Sequence, residues 1–90
     1  MNTESLSKLK SRFVSREVDK ELILVPLTGN IAKMNEMFTL NETAKIIWEN
    51  MDKVDSEEAL TDLITAEFEV SRELASTDVA AFIKHLETML

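Results

Sequence analysis

The chain has 90 residues, 44% of them hydrophobic, no cysteine and a formal net charge of −7. That length gives one domain with a thin stability margin, and the single Gly and single Pro argue against a disordered or linker-rich chain. Without cysteine there is no disulfide, thiolate nucleophile or sulfur metal site, which fits a reducing, cytoplasmic setting.

Residues 1–12, MNTESLSKLKSR, show weak periodicity and read as a flexible N-terminal arm ahead of a single domain over residues 13–90. They lack the apolar stretch of a signal peptide. Phe13 to Val18 alternates, with Val14 and Val18 on one face and Ser15 and Glu17 on the other, which reads as a half-buried strand. Asp19-Lys20 can turn the chain into a second strand, Glu21 to Leu27. Pro26 cannot donate to a ladder, so pairing ends there or that position faces outward. The apolar run Leu22 to Leu27 is too short to cross a bilayer.

Thr28-Gly29-Asn30 is the clearest turn of the sequence. Ile31 to Glu36 reads equally as the start of a third strand or as an irregular lead-in. Met37 to Leu40 is the firm part of that strand. It runs straight into a helix, because Asn41 is a good N-cap and Ala44, Ile47, Trp48 and Met51 follow at helical spacing. This helix spans about Glu42 to Met51. A second begins after Asp55 or Ser56, with Ala59, Leu60, Leu63, Ile64 and Phe68 as its apolar face; Asp55 with Glu58 resembles a capping box. A third begins near Ser71 and carries Ala75, Val79, Phe82, Leu86 and Met89. A strand block followed by a helix block is α+β: a three-stranded antiparallel sheet followed by three helices, with the third strand at an edge.

Catalytic chemistry is hard to assemble from these residues. His85 is the sole histidine and reads as a surface residue beside Lys84 and Glu87. The pairs Glu57-Glu58 and Glu67/Glu69 read as solvated charges near helix ends, and Gly29 stands alone, with no phosphate loop around it. The expectation is a protein that is not an enzyme and uses no metal or cofactor. Charge bears on the main rival, a winged-helix nucleic-acid binder. Residues 1–36 carry six positive and five negative side chains, whereas residues 37–90 carry four positive and twelve negative. The helical half would repel DNA. Trp48 reads as core. Met34 and Met37 suit either an adaptable binding edge or core filling.

The block Leu40-Asn41-Glu42-Thr43-Ala44, with Ile47-Trp48-Glu49 behind it, resembles the LNETA…IWE signature of PqqD-like proteins, named for the D protein of pyrroloquinoline quinone biosynthesis. Ser56-Glu57-Glu58-Ala59-Leu60, Phe68-Glu69-Val70 and Asp78-Val79 with Phe82 are similar to further family segments. In spacing the resemblance covers about Phe13 to Leu90. The glycine that often follows the first helix in the family is replaced by Asp52-Lys53-Val54. The resemblance implies a winged-helix-like fold and a peptide chaperone, the RiPP recognition element. Such a protein captures the leader of a ribosomally made precursor peptide and delivers it to a modifying enzyme, a radical SAM protein in the founding pathway.

On that basis an extended leader adds to Met37, Phe38, Thr39 and Leu40, and Asp78, Phe82, Ile83 and His85 of the last helix flank the groove. Asp78 could instead bond locally, and Phe82 could be purely core. If Phe38 and Leu40 point to the core, Met37 and Thr39 point the other way. Acidic groove walls would favour a basic leader. Partners are then a precursor peptide and its modifying enzyme, without nucleic acid or membrane. A homodimer through the same open edge, and a regulatory domain holding a permanent protein partner, stay open as alternatives.

Overall fold

The computed structural model describes residues 1–27 and 38–88. The expected turn at Thr28-Gly29-Asn30, the stretch Ile31 to Glu36 with Met34, and Met37 and Met89 lie outside the described residues. Among the described residues the order is α1 (Thr3–Lys10), β1 (Phe13–Val18), β2 (Glu21–Pro26), β3 (Phe38–Leu40), α2 (Glu42–Asn50), α3 (Glu57–Glu67) and α4 (Arg72–Glu87). The sheet is antiparallel in the order β1-β2-β3, and its helices pack on one face. This is the expected α+β arrangement of a three-stranded sheet followed by helices, with one helix more than the sequence suggested.

That additional helix corrects the flexible-arm expectation. Asn2 caps α1 by accepting from the Ser5 amide at 3.0 Å. Leu6 and Leu9 are 0% and 2% exposed and belong to the core. Lys10 Nζ meets Asp52 Oδ1 at 3.0 Å, and the Thr3 hydroxyl donates to the Val54 carbonyl at 3.2 Å. Two leucines three residues apart are too few for a periodicity signal, yet both are buried in the common core.

β1 and β2 pair from Phe13↔Pro26 to Val18↔Glu21, closing on Asp19-Lys20. Asp19 takes φ 56°, the left-handed region that Asp tolerates better than most residues. The valines of β1 face away from the core: Val14 and Val18 are 49% and 44% exposed. Parity decides this. Phe13 turns inward, and in a strand that commits Ser15 and Glu17 to the same side and the valines to the other. The larger ring is the better residue to bury. On β2, Leu22 and Leu24 face the core opposite Leu40 and Phe38.

Three side-chain caps then start three helices without long loops. Asn41 accepts from the Ala44 amide at 2.9 Å, Ser56 from Ala59 at 3.1 Å, and Ser71 from Leu74 at 3.1 Å. Ile47, Trp48 and Met51 from the α2 segment, Leu60 and Ile64 from α3, and Ala75, Val79, Ile83 and Leu86 from α4 complete the core. Among the described residues no helix is long and apolar enough to cross a membrane.

Candidate functional site

β3 is one of the two edges of the sheet among the described residues, and its backbone parity can be worked out from β1 and β2. The Leu27 amide donates to the Arg12 carbonyl at 2.7 Å, so the register position Arg12–Leu27, one step beyond the strand ends, is of the hydrogen-bonded kind, although the Arg12 amide itself donates to the Leu9 carbonyl at 3.0 Å. Bonded and non-bonded pairs alternate along an antiparallel ladder. Ile23 and Val25 therefore bond toward β1, and Leu22 and Leu24 toward β3. Their partners, Leu40 and Phe38, turn their own amides and carbonyls to β2. Thr39 is left with its N–H and C=O facing away from β2, toward an edge that no other described strand covers.

Beside that edge lies a groove of about 380 Å³. Phe38, Thr39 and Leu40 form one side, Phe82, His85 and Leu86 of α4 the other, and Ala44 and Trp48 of α2 lie between. Its floor is aromatic. The Phe13 ring meets Trp48 edge to face at 5.7 Å and Phe38 at 6.1 Å, and Phe38 meets His85 at 6.2 Å. The position of each ring follows from local structure: Phe13 and Phe38 from strand parity, Trp48 from its place one turn after Ala44, His85 from the outer face of α4.

The expected site residues do not all fall in one place. Phe38, Thr39, Phe82 and His85 come together at the groove, with Phe38 and Phe82 half-buried and Thr39 and His85 exposed. Leu40 also lines it, but at 6% exposure it belongs mainly to the core beneath. Asp78 stands apart, in an adjoining cleft of about 360 Å³ that shares Asn41, Ala44 and Phe82 with the groove. Ile83 is corrected: it is 1% exposed and packed in the core, because Val79, Ile83 and Leu86 form the inward stripe of α4 and rotate Phe82 to the rim. Met37 lies outside the described residues.

The acidic-wall expectation is also corrected. Among the described residues, those lining the groove carry no carboxylate, and the single titratable side chain is His85. The wall is apolar and aromatic, and the acids of the helical half lie elsewhere. Sequence reasoning missed Phe13 and the groove-facing role of Trp48. The signal for Phe13 was present, since an aromatic residue heading an alternating strand outweighs two valines. Trp48 is buried at 4% exposure and still contributes to the groove, so it is both core and lining. Among the described residues no group of three or more His, Cys, Asp or Glu is placed to hold a metal ion.

The family model for coenzyme PQQ synthesis protein D (PqqD) matches residues 11–88. Among solved structures, TbiB1 in complex with the TbiA(beta) leader peptide is similar, with a TM-score of 0.67 and 26% identity over 87% of this chain and 85% of that one. No curated protein sequence matches.

Proposed function

The chain belongs to the coenzyme PQQ synthesis protein D family, and from that premise we propose that it captures the leader segment of a ribosomally made precursor peptide and presents it to a modifying enzyme. The observation that carries this reading is the pairing of an open edge at Thr39 with an aromatic groove against α4. The likeness to a chain in complex with a leader peptide supports it.

In this reading the leader lies along β3 as a fourth strand. The Thr39 amide donates to it and the Thr39 carbonyl accepts from it, which supplies affinity with little sequence information. Selectivity comes from an apolar or aromatic leader side chain entering between Phe38, Phe82 and His85. Few backbone bonds with one or two anchors give roughly micromolar affinity, about −8 kcal/mol. The bound leader leaves its remaining length free to reach the catalytic centre of another protein. A radical SAM maturase is the enzyme class implied by the founding pathway. The nucleic-acid reading is disfavoured by the twelve acidic side chains of residues 37–90.

The test is a titration of isotope-labelled protein with the leader half of a precursor peptide encoded beside it. Amide shifts concentrated at Phe38 to Leu40 and at Phe82 and His85 are the expected result. A folded protein whose shifts lie elsewhere on the surface rules out capture at β3.

A further inference from the structure

A second groove, of about 700 Å³, opens on another face of α2. Its apolar floor is Ile46, Leu63 and Phe68, all half-buried against the core. Its rim is charged. Glu17 and Asp19 come from the β1–β2 hairpin, Glu42 and Glu49 from α2, and Glu67 from the end of α3. Lys20 and Lys45 are the only cations among the described lining residues. Both are engaged within the chain, Lys20 with Glu42 at 3.8 Å and Lys45 with Glu17. Asp19, Glu49 and Glu67 make no ion pair among the described residues. The negative field is felt locally: Lys45 holds its proton more tightly than an ordinary lysine, first through its hydrogen bond to Glu17 and also through the charges of Glu17, Glu49 and Glu42.

We propose that this groove docks a Lys- or Arg-rich segment of a partner protein, with one apolar side chain of that segment seated on Ile46, Leu63 and Phe68. Charge complementarity selects the occupant. Five carboxylates against two internally paired lysines repel phosphate and acidic peptides, and they steer a cationic segment toward the apolar floor. α2 separates the two grooves: Ala44 and Trp48 line the leader side, whereas Glu42, Lys45, Ile46 and Glu49 line this one. Both can therefore be filled at once, and this surface stands independently of the leader reading.

The experiment uses the full chain, isotope-labelled, and a short synthetic helical peptide of Leu and Lys. Shifts at the amides of Glu49, Glu67 and Phe68 are expected, along with binding that weakens as salt rises. The double variant Glu49→Lys/Glu67→Lys should lose about tenfold in affinity for this peptide, because rim charges are reversed at the site. The variant Glu73→Lys/Glu87→Lys makes the same change in net charge on exposed positions of α4 and should lose far less. Equal losses in the two variants mean general attraction to an acidic protein and overturn the proposal. Shifts centred on Phe38, Phe82 and His85 also overturn it, by placing the basic peptide in the other groove. Thermal melts of both variants check the fold. Leader affinity unchanged in Glu49→Lys/Glu67→Lys keeps this result separate from the leader reading.

Discussion

Phe38 and His85 meet edge to face, 6.2 Å between ring centroids and 76° between ring planes, and so join the edge strand to the last helix. Phe38 is anchored from below by Phe13, whereas His85 is exposed. The imidazole is therefore the outer lip of the groove and can be removed without opening the core. His85→Ala should leave the melting temperature nearly unchanged and weaken leader binding by about 1 kcal/mol, or roughly fivefold, the scale of a lost aromatic contact. Calorimetric titration against wild type measures it. Undiminished affinity would place the leader's anchor somewhere other than between Phe38 and α4.

Thr39 makes a sharper test, because backbone and side chain can be separated there. Its N–H faces the open edge, so proline removes a donor that β2 does not use. Thr39→Pro should keep the sheet and lose about tenfold in leader affinity, one hydrogen bond of about 1 kcal/mol plus misfit of the added strand. Thr39→Val keeps the amide and should bind within about twofold of wild type. Circular dichroism and the same titration distinguish the cases. Equal affinity for both variants, with the fold intact, removes strand addition at this residue.

α1 should behave as core and not as an arm. Leu6→Ala and Leu9→Ala each delete a buried side chain and should cost about 2–5 kcal/mol in urea unfolding. In a small domain that is a large share of the total stability. A loss below about 0.5 kcal/mol for both would mean that the helix is detached in solution.

The fold and half of the candidate site were legible in the sequence for one reason. Local signals were strong wherever a cap or a turn met a periodic run. Asn41, Ser56 and Ser71 each do what their residue type dictates, and the strand-to-helix junction at Leu40-Asn41 follows from them. The rest depended on competition between elements. The α4 sequence offers two overlapping stripes, through Phe82 or through Ile83. Packing of α4 against α2 and α3 chose the second, which put Phe82 on the groove rim. The alternation of β1 does not say which face is buried; the packing of Phe13 against Trp48 decides it and turns Val14 and Val18 outward. The groove's charge was misjudged because net charge was averaged over a half-chain, whereas Glu42, Glu49 and Glu67 of that half line the groove on the other face of α2.

The Lys45–Glu17 ion pair ties the hairpin to α2 and should appear in the alkaline limb of stability. The folded lysine is raised above its ordinary value of 10.5, mainly by the hydrogen bond to Glu17. A group raised in the folded state contributes stability that is fully present below the unfolded value and lost as pH climbs through the folded one. Wild type should therefore lose melting temperature above pH 10.5 more steeply than Lys45→Met, and added salt should narrow the difference. Parallel curves for the two proteins would mean that the pair is not held in solution.

The start of α3 separates two neighbouring cap candidates. Ser56 accepts from the Ala59 amide at 3.1 Å, and its backbone sits in the extended region at φ −148°, ψ 153°. Asp55 is exposed one residue earlier and makes no cap bond. Ser56→Ala should then cost about 1 kcal/mol, because an orphan amide at the helix start loses its acceptor. Asp55→Ala should cost little, a distant interaction with the helix dipole at most. Urea unfolding resolves the two. If Asp55→Ala proves the costlier, the helix begins one residue earlier and the capping-box pairing with Glu58 is the true start.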